Sequence, residues 1–426
     1  MTRNLADWLE YQLRTHPQAI AMGLERVREV SSRLGLVRPG KFVITVAGTN
    51  GKGSTVAFIE AIARAAGWKV GAFTSPHLQR YNERVRVDGA DVDDATLIAA
   101  FERIEAARAV DSNEAIPLTY FEFGTLAALL IFEQAELDLA ILEVGLGGRL
   151  DAVNIVDADV AVITTVDIDH QDYLGPDRES IGSEKAGILR TGRPVILGEI
   201  DPPSSVLRRA YELGAIAIRG HSDYLIERAD IGWRWREPGF ELDLPLPALD
   251  APAQLDNAAA AIAALRALPV ELPVRAFAQG VRDARIRGRL QNIAAEPEVV
   301  LDVAHNPQAV RQLAAWLQAH PKPTRAVFAA LADKDIETMV GILDSHVGHW
   351  HLAGLHDAGP RGQGVEMLAQ RVAAVADAPI QCHGSVAEAL AAAREACSAS
   401  ERVLVFGSFH TVAAALEADG EAGRRV

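Results

Sequence analysis

Between Lys41 and Ile218, short apolar runs rich in β-branched residues alternate with stretches of helical periodicity. The runs Phe42 to Ala47, Val70 to Thr74, Leu139 to Val144, Val160 to Val166 and Pro194 to Leu197 read as strands, with helices of suitable length between most of them. This alternation predicts an α/β fold with a mainly parallel sheet covered on both faces. The pattern breaks at Ile231 to Leu246, where aromatic and charged residues alternate around Pro238-Gly239 as in a β-hairpin. Gln254 to Leu268 is then an alanine-rich helix. After the basic stretch Arg282 to Arg289 the alternation restarts, with strands expected at Val299 to Val303, Arg325 to Ala329, Trp350 to Ala353 and Arg402 to Phe406. This second series is long enough for a domain of its own, dividing the chain into residues 1–288 and 289–426.

Composition narrows the class of protein. With 426 residues, 49% of them hydrophobic, the chain can build two domains with sizeable cores. A formal net charge of −15 argues against nucleic acid as a partner, because phosphate backbones select basic surfaces. The two cysteines, Cys382 and Cys397, lack metal-ligand spacing and suit a reducing compartment. The first residues carry no apolar signal core, and no run approaches the roughly 18 apolar residues that cross a bilayer. A soluble cytoplasmic protein without membrane contact is expected, and a monomer, because no heptad or large apolar patch is legible.

In a parallel sheet ligands sit beyond the strand carboxyl ends, and polar residues gather there in this chain. Residues 47–55, Ala-Gly-Thr-Asn-Gly-Lys-Gly-Ser-Thr, join the first strand to an amphipathic helix. Such a turn, here Gly48, Thr49, Asn50 and Gly51, aims backbone N–H groups and a helix dipole at one point, which favours triphosphate. Lys52 adds a mobile positive charge, and Ser54 or Thr55 offers a hydroxyl to bound Mg²⁺. Gly53 is a variation, since the strict pattern has Ser or Thr directly after the lysine. Glu143 ends a strand ahead of Gly145, Gly147 and Gly148, as a Mg²⁺ ligand, a water-orienting group or the cap of a turn. The segment Asp167-Ile168-Asp169-His170-Gln171-Asp172 suits Mg²⁺ or Mn²⁺, or a solvated loop. Lys185 reads from its neighbours as an ordinary exposed helix lysine. Asp302 to Pro307 and Gly407 to His410 are either a second pocket or strand-to-helix turns capped by Asp302, Asn306 and Ser408.

Five ordered blocks resemble the folylpolyglutamate synthase and dihydrofolate synthase branch of the Mur-ligase-like proteins along nearly the whole chain. They are Gly48 to Ser54, Ser75-Pro-His-Leu78 with Asn82-Glu-Arg-Val85, Glu143 to Asp151, Glu184-Lys-Ala-Gly187, and Asp302 to Pro307. The intervening Gly53 is the form this branch uses. The resemblance implies a P-loop NTPase-type, mainly parallel sheet domain that binds ATP and pterin, followed by a smaller Rossmann-like α/β domain that binds glutamate. It implies an ATP-dependent ligase acting on dihydropteroate, reduced folates and L-glutamate, with Mg²⁺, in two ions, and K⁺ as a further candidate cation. By the same resemblance Gly48, Thr49, Asn50, Gly51, Lys52, Gly53, Ser54, Thr55, Asn257, Arg289 and Asp302 contact ATP. Ser54, Glu143, His170 and a carbamylated Lys185 hold metal. Gly23, Leu24, Thr119, Tyr120, Phe121, Glu122, Leu150, Asp151 and Ala152 meet the pterin substrate, and His305 and Ser408 the incoming glutamate.

The implied chemistry is phosphoryl transfer from ATP to a carboxylate, then attack by the glutamate amine on the acyl phosphate. Lys52, Lys185, His170 and Arg289 are the expected catalytic set, with charge stabilisation and positioning as the main contributions. Closure of the second domain is expected to bring Arg289 and exclude water. The rivals are a polyglutamylating enzyme alone, a ligase of cell-wall precursors, and, from another class, a nucleotide-dependent switch. Against the switch stands the absence of an Asn-Lys-x-Asp guanine motif.

Overall fold

The computed structural model describes residues 3–18, 20–109, 115–229, 231–248 and 251–424. The chain forms two compact units: the first runs to His77 and includes Tyr81–Ala248 and Gln254–Arg285, and the second starts at Ile286 and takes in Leu78–Arg80.

The first unit is built on an eight-stranded sheet of β1 (Phe42–Ala47), β2 (Val70–Phe73), β3 (Val85–Val87), β4 (Ala90–Asp91), β5 (Leu139–Glu143), β6 (Val160–Ile163), β7 (Pro194–Leu197) and β8 (Ile216–Arg219). Their order is β4-β3-β2-β5-β1-β6-β7-β8, parallel except at β3 and β4. Helices cover the central strands on both faces, so β1 and β5 are apolar along their lengths rather than alternating. The chain leaves β1 through the helix Lys52–Ala65 and enters β2, yet β5 lies between these two strands. The carboxyl ends of β5, β1 and β6 are therefore side by side, with Val46 in register with both Glu143 and Val162. That reversal of strand order is what gathers the polar loops.

The expected strand from Val160 to Val166 stops at Ile163. Thr164 turns away because its side chain serves the neighbouring loop, donating from Oγ1 to the Asn50 carbonyl. The hairpin expected around Pro238-Gly239 is β10 (Trp233–Glu237) with β11 (Phe240–Leu244), and a third strand, β9 (Leu225–Arg228), extends it. On β10, Trp233 and Trp235 are buried, and Trp235 Nε1 donates to Ala259 O at 3.2 Å in the helix Pro252–Arg266.

The second unit has a six-stranded sheet of β12 (Gln291–Ala295), β13 (Glu298–Leu301), β14 (Thr324–Phe328), β15 (His349–Ala353), β16 (Ile380–His383) and β17 (Arg402–Phe406). The order is β12-β13-β17-β14-β15-β16, parallel except for β12. The period of two is visible on β17: Val403 and Val405 join one core with Ala389 and Leu390 of the helix Val386–Ala396. Leu404 and Phe406 join the other with Val310 and Met339, from the helices Pro307–Ala319 and Ile336–Leu343. Each such fully buried side chain contributes roughly 1.5–3 kcal/mol.

Candidate active site

The loop after β1 takes a conformation that only glycine serves at two positions. Gly48 has φ +152°, and a Cβ there would lie 1.9 Å from Thr164 Oγ1. Gly51, at φ +86°, precedes the helix Lys52–Ala65, and a Cβ there would lie 2.4 Å from Asn257 Oδ1. The loop thus approaches two neighbours through bare backbone, leaving its N–H groups at the start of a fourteen-residue helix. Thr49 N–H donates to Thr165 O at 2.7 Å, and Asn50 N–H to Thr165 Oγ1 at 3.1 Å. Lys52 Nζ lies across the loop, donating to Gly48 O at 3.0 Å and Thr49 O at 3.2 Å. Ser54 and Thr55 are buried in the first turn, and Thr55 Oγ1 has no hydrogen-bond partner among the described residues.

Glu143 belongs to this loop as well as to its own strand. Its carboxylate oxygens lie 3.8 Å from the position of a Cβ on Gly53. The Ser75 N–H donates to Glu143 Oε2 at 3.0 Å. Ser75 lies in a block that carried the resemblance, yet no role of its own was legible there. Its signal was the strand before it, since β2 neighbours β5.

After β6, Thr49 Oγ1 accepts from Asp167 N–H and donates to Asp167 O, both at 3.0 Å. His170 follows in the left-handed region at φ 53°, with its N–H donating to Asp169 Oδ1 at 2.9 Å. Lys185 closes the helix Arg178–Lys185 and is only 3% exposed, not the surface residue its neighbours suggested. Burial pushes its ammonium down to about 7, the Lys52 charge adds to that fall, and Asp169 and Glu199 oppose it. No hydrogen bond or ion pair forms at its Nζ among the described residues. The glycine loop after β5 packs on the backbone at this helix end: a Cβ on Gly148 would meet the carbonyls of Glu184 and Lys185 at 3.0 Å, and one on Gly187 would meet Arg149 Cα at 2.4 Å.

The pterin candidates fall in two adjoining places. Asp151 accepts from the N–H groups of Gly145, Leu146 and Val153 at 2.9–3.0 Å, so its carboxylate shapes the glycine loop from inside. Burial pushes this carboxyl up to about 7, against those three donors and Lys52. Ala152 is buried beside it, and Leu150 O accepts from Gly23 N–H at 3.5 Å, which brings Gly23 and Leu24 to the same loop. Thr119 and Glu122 form a capping box that starts the helix Tyr120–Ala135, and Glu122 also receives Arg26 at 2.9 Å. The Phe121 ring would contact a Cβ on Gly145 at 2.7 Å, and Tyr120 meets Tyr81 edge-on at 5.4 Å, with the Arg84 guanidinium 5.3 Å from both tyrosine rings.

In the second unit the loops after β13 and β17 adjoin because those strands are neighbours, and Gly407 N–H donates to Ala304 O at 3.1 Å. Asp302 accepts from Leu290 N–H and Ala304 N–H at 2.9 and 2.8 Å, and its burial raises the carboxyl above its usual range while Arg289 pulls it down. Arg289 stands 5.4 Å from the Phe409 ring, and His305 packs on the other aromatic contact of that ring at 6.1 Å. His305 Nδ1 lies 2.9 Å from Val303 O. Asn306 and Ser408 are also helix caps: Ala309 N–H donates to Asn306 Oδ1, and Thr411 N–H to Ser408 Oγ.

Among the described residues no three His, Cys, Asp or Glu side chains converge as a metal site. Around the phosphate loop Glu143, the Ser54 hydroxyl and His170, with Asp167 and Asp169 in the His170 segment, offer donors of the kind that suit a hard divalent cation. No described helix is long and apolar enough to cross a membrane.

A phosphate loop facing a strand-end glutamate in one α/β unit, and a second α/β unit with its own polar strand ends, define a Mur-type ligase. The Mur ligase middle domain matches residues 46–210, and the Mur ligase, glutamate ligase domain matches residues 288–409. The dihydrofolate synthase/folylpolyglutamate synthase of Escherichia coli is 47% identical over 416 residues, 97% of this chain and 95% of that protein. The structure of E. coli FolC in complex with DHPP and ADP has a TM-score of 0.92 at 46% identity, covering 100% of this chain and 99% of that one. A bifunctional folylpolyglutamate synthase/dihydrofolate synthase with Mn, AMPPNP and L-glutamate bound has a TM-score of 0.89 at 44% identity, with 98% of each chain covered. The chain belongs to the dihydrofolate synthase/folylpolyglutamate synthase family.

Proposed function

We propose that this chain is an ATP-dependent ligase that joins L-glutamate to dihydropteroate and extends reduced folates with further glutamate. The observation that carries this reading is the convergence of the phosphate loop, Glu143, the Asp167–His170 segment and a buried Lys185 at the strand ends of one sheet. Relatives at up to 47% identity over nearly the full length support the same chemistry. ATP and a divalent metal are used; ADP and AMPPNP with Mn occupy the related structures.

The substrate carboxylate attacks the γ-phosphorus of ATP, the bond to the bridging oxygen breaks, and ADP leaves. The glutamate amine then adds to the acyl carbon, phosphate departs, and a proton is lost to complete the amide. Lys52 and the loop N–H groups stabilise charge on the phosphates, and Gly51 lets Asn257 reach the nucleotide side of the loop. Thr49, Asn50, Gly53 and Thr55 form the rest of that cradle. Arg289 and Asp302 are read as nucleotide contacts from the second unit, and His305 and Ser408 as the hold on glutamate. The pterin portion is assigned to Gly23, Leu24, Thr119 to Glu122 and Leu150 to Ala152.

Two Mg²⁺ ions are assigned to Ser54, Glu143, His170 and Lys185. When bound they would offset the charge of the phosphates during transfer. The role of Lys185 requires modification, because an ammonium would repel the cation. Its lowered pKa supplies neutral amine near pH 7, whose nitrogen can bond to the carbon of CO₂ and lose a proton, giving a carbamate with two new oxygen donors. The test is ADP release with dihydropteroate and glutamate, each omitted in turn, then with a reduced folate as acceptor. ADP formation that needs neither acceptor nor glutamate would defeat the ligase reading, and turnover with the reduced folate alone would restrict it to polyglutamylation.

A further inference from the structure

We propose that Arg178 and Glu199 act as a positioning clamp that fixes the His170 segment relative to Lys185, and thereby sets the affinity of the site for divalent metal and for the carbamate. The proposal rests on the assignment of His170 and Lys185 as metal ligands made above.

The contacts form a closed ring through the N–H and the carbonyl of one residue, Val166. Val166 N–H donates to Glu199 Oε1 at 3.1 Å, Arg178 Nε donates to Val166 O at 2.8 Å, and Arg178 Nη2 donates to Glu199 Oε2 at 3.1 Å. The same Nη2 reaches Asp201 O at 2.9 Å. Val166 is buried and immediately precedes Asp167, whose backbone is held from the opposite side by Thr49 Oγ1 of the phosphate loop. The segment leading to His170 is thus gripped twice, once by the nucleotide loop and once by the clamp.

Arg178 is also the first residue of the helix whose last residue is Lys185. Eight residues at a rise of about 1.5 Å make a stiff rod of roughly 10 Å, so a hold at one end locates the other. Asp177 caps the start of that rod by accepting from Ser180 N–H at 2.8 Å. The start of the helix Ser204–Glu212 braces it laterally: Glu179 accepts from Ser204 and Ser205 N–H at 2.9 and 2.7 Å, and a Cβ on Gly182 would lie 2.8 Å from Ser205 Oγ. The short stretch from Glu199 to Ser205, a loop and the first turn of the next helix, therefore supports both the helix bearing Lys185 and, through Glu199, the segment bearing His170.

A merely structural ion pair would show itself differently. The Arg178 side chain is 40% exposed and that of Glu199 15%, and an ion pair open to water on one side contributes little to stability. Groups that orient metal ligands instead change metal affinity by about 10–100-fold when removed. A lysine at 178 retains charge but cannot bridge the carbonyl and the carboxylate with a planar fork.

The experiment uses the full chain with ADP, in wild type and in the Arg178→Ala, Arg178→Lys and Glu199→Gln variants. Mn²⁺ binding is read from the free-ion electron paramagnetic resonance signal, and the carbamate from ¹³C NMR in labelled bicarbonate. Arg178→Ala is expected to bind Mn²⁺ about 10–100-fold more weakly and to lose the carbamate resonance, with Arg178→Lys nearly as impaired. Glu199→Gln, which still accepts from Val166 N–H, should fall between these and wild type, and all three should keep the wild-type thermal midpoint. Wild-type Mn²⁺ affinity and carbamate signal in Arg178→Ala would overturn the clamp, as would a collapsed midpoint in all three variants. Lys185→Ala and His170→Ala serve as controls: if both bind Mn²⁺ as wild type does, the ligand assignment itself is wrong and the clamp falls with it.

Discussion

Replacing Lys185 by methionine should make the protein more stable and inactive at once. Lysine at this position is 3% exposed, and burial moves its titration from 10.5 to about 7. In the unfolded chain it keeps its ordinary value, so between pH 7 and 10.5 the native state binds fewer protons than the unfolded one, and stability rises with pH across that window. The integrated penalty is about 4 kcal/mol at pH 7, close to its maximum below that, and gone above pH 10.5. Methionine has a similar length and no charge, so Lys185→Met should recover most of this. For a unit of this size that corresponds to roughly 10 °C in thermal midpoint. The measurement is thermal unfolding by far-UV circular dichroism in CO₂-free buffer without nucleotide, at steps from pH 6 to pH 10. The advantage of the variant should be largest at pH 6–7 and shrink towards pH 10, while ADP release with all substrates is abolished. A variant no more stable than wild type at pH 7, or an advantage that does not decline with pH, would refute the reasoning.

Gly48→Ala places a methyl group 1.9 Å from Thr164 Oγ1 at φ +152°, and should weaken ATP binding by at least about tenfold in calorimetric titration; unchanged affinity would mean the loop backbone does not cradle phosphate. The second unit should lose stability in acid through three imidazoles on one sheet face. His351 Nδ1 lies 3.1 Å from His383 Nε2, and the His349 and His351 rings are 4.9 Å apart. Arg325 adjoins them on β14 and lowers His349 and His351 further, while Glu388 raises His383; burial leads the lowering of all three, taking His351 to about 4. Native protein then binds fewer protons than unfolded below pH 6.5, so stability falls as pH drops from 6.5 to 4, and His351→Phe should flatten that limb in urea unfolding measured at each pH. Replacing Asp302 by asparagine turns one of its two side-chain oxygens, each accepting from a backbone N–H, into a donor facing that N–H, and should cost about 1–3 kcal/mol in urea unfolding; no change would mean those bonds carry no net stability.

The strands with a neighbour on each side were the legible ones. β1, β7 and β17 match the apolar runs residue for residue, because a strand buried on both faces must be apolar throughout. β8 and β16 lie at sheet edges, half exposed and partly polar, and β3 and β4 are too short to show a period. In the site, the phosphate loop and Glu143 were readable because each directly follows or ends such a strand. The burial of Lys185 was not, since nothing between Ser183 and Ala186 records how the end of the helix Arg178–Lys185 packs in the fold. Arg178 and Glu199 were hidden for the same reason: their meaning lies in a ring closed through the backbone of Val166, and a sequence pattern carries no trace of which peptide a side chain will grip.

The placement of β17 has a consequence for how the protein is made. It is the last of the described strands, yet it sits between β13 and β14, which were synthesised about 100 and about 75 residues earlier. Until Arg402–Phe406 leaves the ribosome, β13 and β14 have no common neighbour, and each presents an unpaired edge of Val, Ala, Leu and Phe. The first unit has all its strands in hand by then and can fold during translation. The second must wait for its last strand, so the nascent chain passes through a stage in which an active-looking nucleotide unit is tethered to an open, adhesive half-sheet.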